Sequence, residues 1–147
     1  MSENILRALM QLFAIIAKVD GVNVIGRSIV QSFLKQQLNQ ELVEQYLRVF
    51  DEHIEAIHKL SKGADATKKL SLNSVKVLRI CSEINKELAQ RQKVVVLIRL
   101  IEFINSNDTV SAQELEFVDT VAATFNIDEK VLENISFYKK ILDAKKE

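Results

Sequence analysis

The 147-residue sequence has no proline, only three glycines and a single cysteine, and its 20 Lys plus Arg cancel its 20 Asp plus Glu. Each shortage excludes something. With few backbone breakers and an abundance of Leu, Ile, Val, Glu, Lys and Gln, the chain favours helix throughout. One cysteine builds no intrachain disulfide. Cys81 lies between Ile80 and Ile84 in an apolar pattern and reads as a buried thiol in a reducing compartment. A formal charge of zero leaves no global basic field to attract nucleic acid or anionic lipid. The opening Met-Ser-Glu-Asn lacks the positive segment and cleavage site of a secretory signal, and charges interrupt every apolar run before it reaches membrane-spanning length. The expected location is the cytoplasm, with neither nucleic-acid binding nor direct membrane insertion.

What remains is 48% hydrophobic and 27% charged, in a chain long enough to bury a sizeable core. These proportions predict one all-α domain spanning residues 1–147. Apolar spacing divides it into seven helices. Ile5, Leu6, Leu9, Leu12, Phe13 and Ile16 mark the first, ending near Lys18 before the Asp20-Gly21 turn. Asn23 caps a second with Ile29, Val30, Phe33, Leu34 and Leu38. The third carries Val43, Tyr46, Leu47, Phe50, Ile54, Ile57 and Leu60 opposite the solvated Asp51, Glu52 and Glu55.

From Ser61 to Asn73 the periodicity fades around the last glycine, which predicts the main surface loop. A fourth helix uses Val77, Leu78, Cys81 and Ile84 and stops around Asn85. Val94, Val95, Val96, Leu97, Ile98, Leu100, Ile101, Phe103 and Ile104 form a run too long for an ordinary strand, which predicts a central helix buried nearly all round. Ser111-Ala-Gln-Glu114 is a capping box that opens the sixth helix, with Leu115, Val118, Val121, Ala122 and Phe125 inward. Asp128 caps the seventh, with Val131, Leu132, Ile135, Tyr138 and Leu142.

The two ends repeat weakly at an offset of 88 residues. Asp20 corresponds to Asp108, Phe13 to Ile101, Ile16 to Ile104, Asn23 to Ser111 and Val30 to Val118. Two helical hairpins related by a pseudo-twofold are therefore expected around one core.

Phe-Ala-Ile-Ile-Ala-Lys-Val-Asp-Gly, followed by a capped amphipathic helix, resembles the first half of the TerB-like family, named for tellurite resistance and related to the N-terminal domain of DjlA-type co-chaperones. Ile-Glu-Phe-Ile-Asn-Ser-Asn-Asp-Thr-Val-Ser-Ala-Gln-Glu-Leu-Glu-Phe looks like a second copy of that signature, so the resemblance spans nearly the whole chain. It implies a compact seven-helix bundle with acidic residues gathered at paired turns, where some members bind divalent metal. Family roles include stress-response complexes near the membrane and modules fused to larger proteins, some of them ATPases. Carried over by position, the implied metal residues are Asp20, Asp108 and Glu114. Departures are evident: Gly26 and Arg27 stand near the glutamate expected after the first turn, and Asn107-Asp108 replaces the second Asp-Gly. An arginine at a ligand position opposes a dication.

Other site chemistry is weaker. Asn105, Asn107, Thr109, Ser111, Gln113 and Glu116 match the ligand spacing of an EF-hand loop, but Asn105 stands where aspartate is required and Val110 where glycine is. His53 and His58, five residues apart, do not stack as a metal pair on one helix face. No phosphate loop or serine-centred elbow occurs. The expectation is a non-catalytic interaction module whose partner is another protein or a further domain of the same chain, such as a membrane-associated ABC-type ATPase for which this would be the N-terminal domain. No cofactor is expected beyond the divalent metal of the alternative reading, a metal-responsive stress protein. Val24, Ile25 and Phe137 fall outside the core stripes and are the candidate docking residues.

Overall fold

A computed structural model describes residues 2–17, 24–63, 66–106 and 112–135, with side chains described for residues 2–17, 24–57, 75–106 and 114–135. The chain is all-α: α1 (Glu3–Ile16), α2 (Val24–Lys35), α3 (Gln40–Gly63), α4 (Ala66–Glu87), α5 (Gln90–Asn105) and α6 (Ala112–Thr124). A last helical stretch, α7, occupies residues 129–135. No strand occurs among the described residues.

Local chemistry sets several of these boundaries. Ser2 caps α1, its Oγ accepting from the Ile5 N–H at 3.3 Å and donating to Glu87 at the end of α4 at 2.7 Å. One hydroxyl thus satisfies an orphan amide and ties the two helix ends together. Asn39 caps α3 by accepting from Leu42 N–H at 3.0 Å, and Gln92 reaches back to the Ala89 N–H at 2.9 Å to open α5. Asp128 accepts from Lys130 N–H at 2.9 Å, as the sequence predicts for α7. α6 begins at Ala112, where the capping box places it; Ser111 itself lies outside the described residues. Asn126 ends that helix in the left-handed region at φ 55°, which asparagine tolerates better than most residues.

Three sequence expectations are corrected. The predicted surface loop from Ser61 to Asn73 is largely helix, because α3 runs to Gly63 and α4 starts at Ala66. Lys, Leu and Ala are good helix formers, and a helix needs no apolar stripe in its sequence when its composition favours the backbone conformation. Leu78, assigned to the core, is 48% exposed, whereas Ile80 on the other side of α4 is buried. The third correction concerns the centre of the bundle. α5 packs against α2, α6 and α1, but only six of its 16 residues are buried. The central element is α1, which contacts α3, α4 and α5 and buries nine of its 14 residues. Ala8, Met10 and Ala14 give α1 a second buried face. Small and adaptable side chains let neighbours approach it from several directions, a role that a count of large apolar residues underrates.

Four phenylalanines join the helices into one core. Phe13 of α1 lies 6.0 Å from Phe33 of α2 and 5.7 Å from Phe103 of α5, and Phe103 lies 6.3 Å from Phe50 of α3 at an interplanar angle of 87°. All four are buried. The tilted and edge-on geometries are those favoured by ring quadrupoles. Cys81 is fully buried in the same core. Burial pushes its thiol up to about 12.

The 88-residue offset relates the ranges of two pairs of helices. It carries Glu3–Ile16 onto residues 91–104 of α5 and Val24–Lys35 onto residues 112–123 of α6. The equivalent core residues Phe13 and Ile101, Ile16 and Ile104, and Val30 and Val118 are all buried. Packing differs between the halves, since α5 packs on α6 while α1 makes its main contacts with α3 and α4.

Candidate functional site

Two regions carry the residues singled out from the sequence. At the first, α5 ends and α6 begins. Glu114 occupies the third position of α6 and is 8% exposed, a buried carboxylate in the first turn where the helix dipole favours negative charge. Asn105 ends α5; its Nδ2 donates to the Ile101 carbonyl at 2.9 Å, and its buried Oδ1 has no hydrogen-bond partner among the described residues. Asp20 and Asp108, the other two implied metal residues, lie outside the described residues, as do Asn107, Thr109 and Ser111 of the EF-hand spacing. Glu116 is exposed on α6. No group of three His, Cys, Asp or Glu side chains suited to a metal occurs among the described residues.

Arg27 has a clear structural role. Its Nε donates to Asp51 Oδ1 at 3.2 Å and its Nη2 to Asp51 Oδ2 at 2.9 Å, a two-pronged pair linking α2 to α3 at the surface. A planar guanidinium matches a carboxylate in this way where lysine would not. Both side chains remain about half exposed, at 46% and 48%, so the contribution to stability is small. By its place opposite the apolar stripe of α3, Asp51 reads in the sequence only as solvated charge.

The second region is the start of α2. Val24 is 86% exposed and Ile25 is 62% exposed, as the sequence expects for residues off the core stripes. The adjacent Gly26 is buried, so the backbone approaches its neighbours at the very point where the two preceding side chains turn outward. Phe137, the third candidate, lies outside the described residues. His53 is half-buried on α3, and burial, reinforced by Lys76 and Arg7 and opposed by Glu52, lowers its pKa.

A polar lock not foreseen from the sequence holds the far end of α6. Lys93 donates to Asn85 Oδ1 at 3.2 Å and to the Phe125 carbonyl at 2.9 Å, while Asn85 donates to the Thr124 carbonyl at 2.5 Å. A cation at the negative end of the α6 dipole satisfies carbonyls that the helix leaves open. The only signal in the sequence was Asn85 at the predicted stop of α4. No family model, no curated protein and no solved structure matches this chain. Among the described residues, no helix is long and apolar enough to cross a membrane.

Proposed function

We propose that this chain is a non-catalytic helical interaction module of the TerB-like type, with the pseudo-twofold arrangement of that family. It acts in the cytoplasm, at the inner face of a membrane when its partner is membrane-bound. The observation that carries the reading is the pair Val24 and Ile25, two large apolar side chains presented to solvent at 86% and 62% exposure beside the buried Gly26. Exposing them costs the isolated chain the burial free energy of two aliphatic side chains, about 1.5–3 kcal/mol each. A partner recovers that free energy. The partner is a second protein or a further domain of the same polypeptide, such as the ATPase of an ABC-type transporter.

The test is Ile25→Asp in a capture experiment with the endogenous complex, paired with thermal unfolding. Loss of the partner with the melting transition unchanged supports the module. Retained capture, or loss of both capture and fold, sinks it.

The divalent-metal reading is favoured by one observation, the burial of the Glu114 carboxylate in the first turn of α6 beside the segment that contains Asp108. Hard cations take carboxylate oxygens, and the site would use Asp20, Asp108 and Glu114. Titration calorimetry with Mg²⁺, Ca²⁺ and Mn²⁺ tests it. Binding that Asp108→Asn and Asp20→Asn each weaken supports the reading, and absence of binding heat and of any thermal shift at millimolar metal rejects it.

A further inference from the structure

We infer that the end of the fold where α3 meets α4 is a docking surface for an anionic lipid bilayer, which it binds peripherally through its bases. Between residues 56 and 82 the chain carries six bases, Lys59, Lys62, Lys68, Lys69, Lys76 and Arg79, and a single acid, Asp65. The rest of the sequence holds the other 14 Lys and Arg against 19 Asp and Glu. The zero net charge therefore conceals a divided molecule, and a charge sum does not describe the local field.

The fold gathers these bases at one end. α3 stops at Gly63 and α4 starts at Ala66, so the two helix ends lie no more than about 11 Å apart. From that junction the helices run back beside each other. The charge of Lys76 acts on His53, and Lys76 lies as far beyond Ala66 as His53 lies before Gly63, which is the register of an antiparallel pair. Farther from the junction the sign of the charge reverses. There α3 carries Glu41, Glu44, Asp51, Glu52 and Glu55 against Arg48 alone, and α4 carries Glu83 and Glu87 against Lys86. A pair of helices basic at one end and acidic at the other turns its basic end toward a negatively charged plane.

The same surface carries the apolar component that a bilayer interface rewards. Val77, Ile80, Cys81 and Ile84 seat α4 in the core. On its other side Val75 is 57% exposed and Leu78 is 48% exposed, with Lys76 and Arg79 exposed beside them. Aliphatic side chains set between bases enter the headgroup boundary while the cations meet lipid phosphates and carboxylates. The side of a helix is convex and suits a plane, whereas an acidic helical peptide docks in a groove between elements. Residues 56–82 contain no Phe, Tyr or Trp on which a nucleotide base would stack, and exposed valine and leucine gain nothing from a sugar-phosphate backbone. The contact is peripheral: among the described residues, no helix is long and apolar enough to cross a membrane. The inference stands apart from the proposed docking role of Val24 and Ile25, which are on α2.

Co-sedimentation of the full chain with lipid vesicles tests it. At about 0.1 M salt the expected result is binding to vesicles of phosphatidylserine and phosphatidylcholine mixed at about 3:7, no binding to phosphatidylcholine alone, and release at about 0.5 M salt. Each base at such a surface strengthens binding about fivefold, so Lys76→Gln with Arg79→Gln weakens it about 25-fold and the charge-reversed pair Lys76→Glu with Arg79→Glu weakens it further. Both pairs replace exposed side chains, and the thermal transition stays at the wild-type temperature. Arg48→Glu, at the acidic end of α3, leaves binding within about twofold. Absence of binding to the anionic vesicles overturns the inference. So does equal binding to both kinds of vesicle, indifference to the Lys76 and Arg79 pairs, or a loss from Arg48→Glu as large as theirs. Capture of poly-glutamate or of duplex DNA in place of the vesicles assigns the bases to another class of partner and overturns it as well.

Discussion

Shortening Phe13 to leucine separates packing by aromatic geometry from packing by volume alone. Phe13 touches two rings, Phe33 and Phe103, whereas Phe33 and Phe50 each touch one ring of this chain of four. Each aromatic pair contributes about 0.5–1.5 kcal/mol beyond area burial, so Phe13→Leu should cost about 1–3 kcal/mol and Phe33→Leu or Phe50→Leu about half as much. Domains of this size hold about 5–15 kcal/mol in total, which leaves each variant folded and measurable. Urea unfolding followed by far-UV circular dichroism would show the midpoint for Phe13→Leu lowered by about 1 M, with an unchanged slope. A double-mutant cycle between Phe13 and Phe103 should give a coupling of about 0.5–1.5 kcal/mol, larger than that between Phe33 and Phe50. Equal costs at all four positions, or a stronger coupling between the end members than between the neighbours, would refute the linear arrangement of the rings.

Replacing Asn85 with alanine removes the donor to Thr124 and one acceptor of Lys93, and the cost expected for a partly buried lock of this kind is about 1–2 kcal/mol; hydrogen exchange should quicken selectively at the end of α6, and uniform protection would contradict the lock. For His53, the folded pKa is lowered from 6.5, chiefly by burial, so at higher pH both states are neutral and stability is full. As pH falls below 6.5 the unfolded chain takes up the proton first, and stability declines until the lowered folded value is passed. Denaturation at a series of pH values should show a decline that His53→Gln flattens; an identical profile in the variant would rule His53 out as its source. Cys81, buried and pushed up to about 12, should not react with a thiol reagent in the native state and should react at the rate of unfolding in denaturant. Rapid native labelling would mean that the core opens around α4.

Most of the helices were legible in the chain because apolar residues at a period of 3.6 mark both the existence of a helix and its inward side. α1, α2, α6 and the capped start of α7 lie where the spacing, Ser111-Ala-Gln-Glu114 and Asp128 place them. The junction of α3 and α4 was illegible for the same reason. Residues 61–73 have helix-forming composition with no stripe, and periodicity reports packing rather than backbone conformation. The candidate metal residues divide likewise. Burial of Glu114 is compatible with its place in the capping box, while Asp20 and Asp108 lie outside the described residues.

By itself, then, the sequence determined an all-α chain, the Asp128 cap of α7, a buried cysteine and the outward pair Val24 and Ile25, because each of these depends on neighbours within a few residues. Only the tertiary structure decided that α1 rather than α5 is the central helix, that Arg27 pairs with Asp51, and that Lys93 and Asn85 close the end of α6. Those choices depend on which helices lie side by side. A local pattern says that a face is apolar or that a side chain is charged, but partners 24, 32 or 39 residues apart are brought together by helix packing alone.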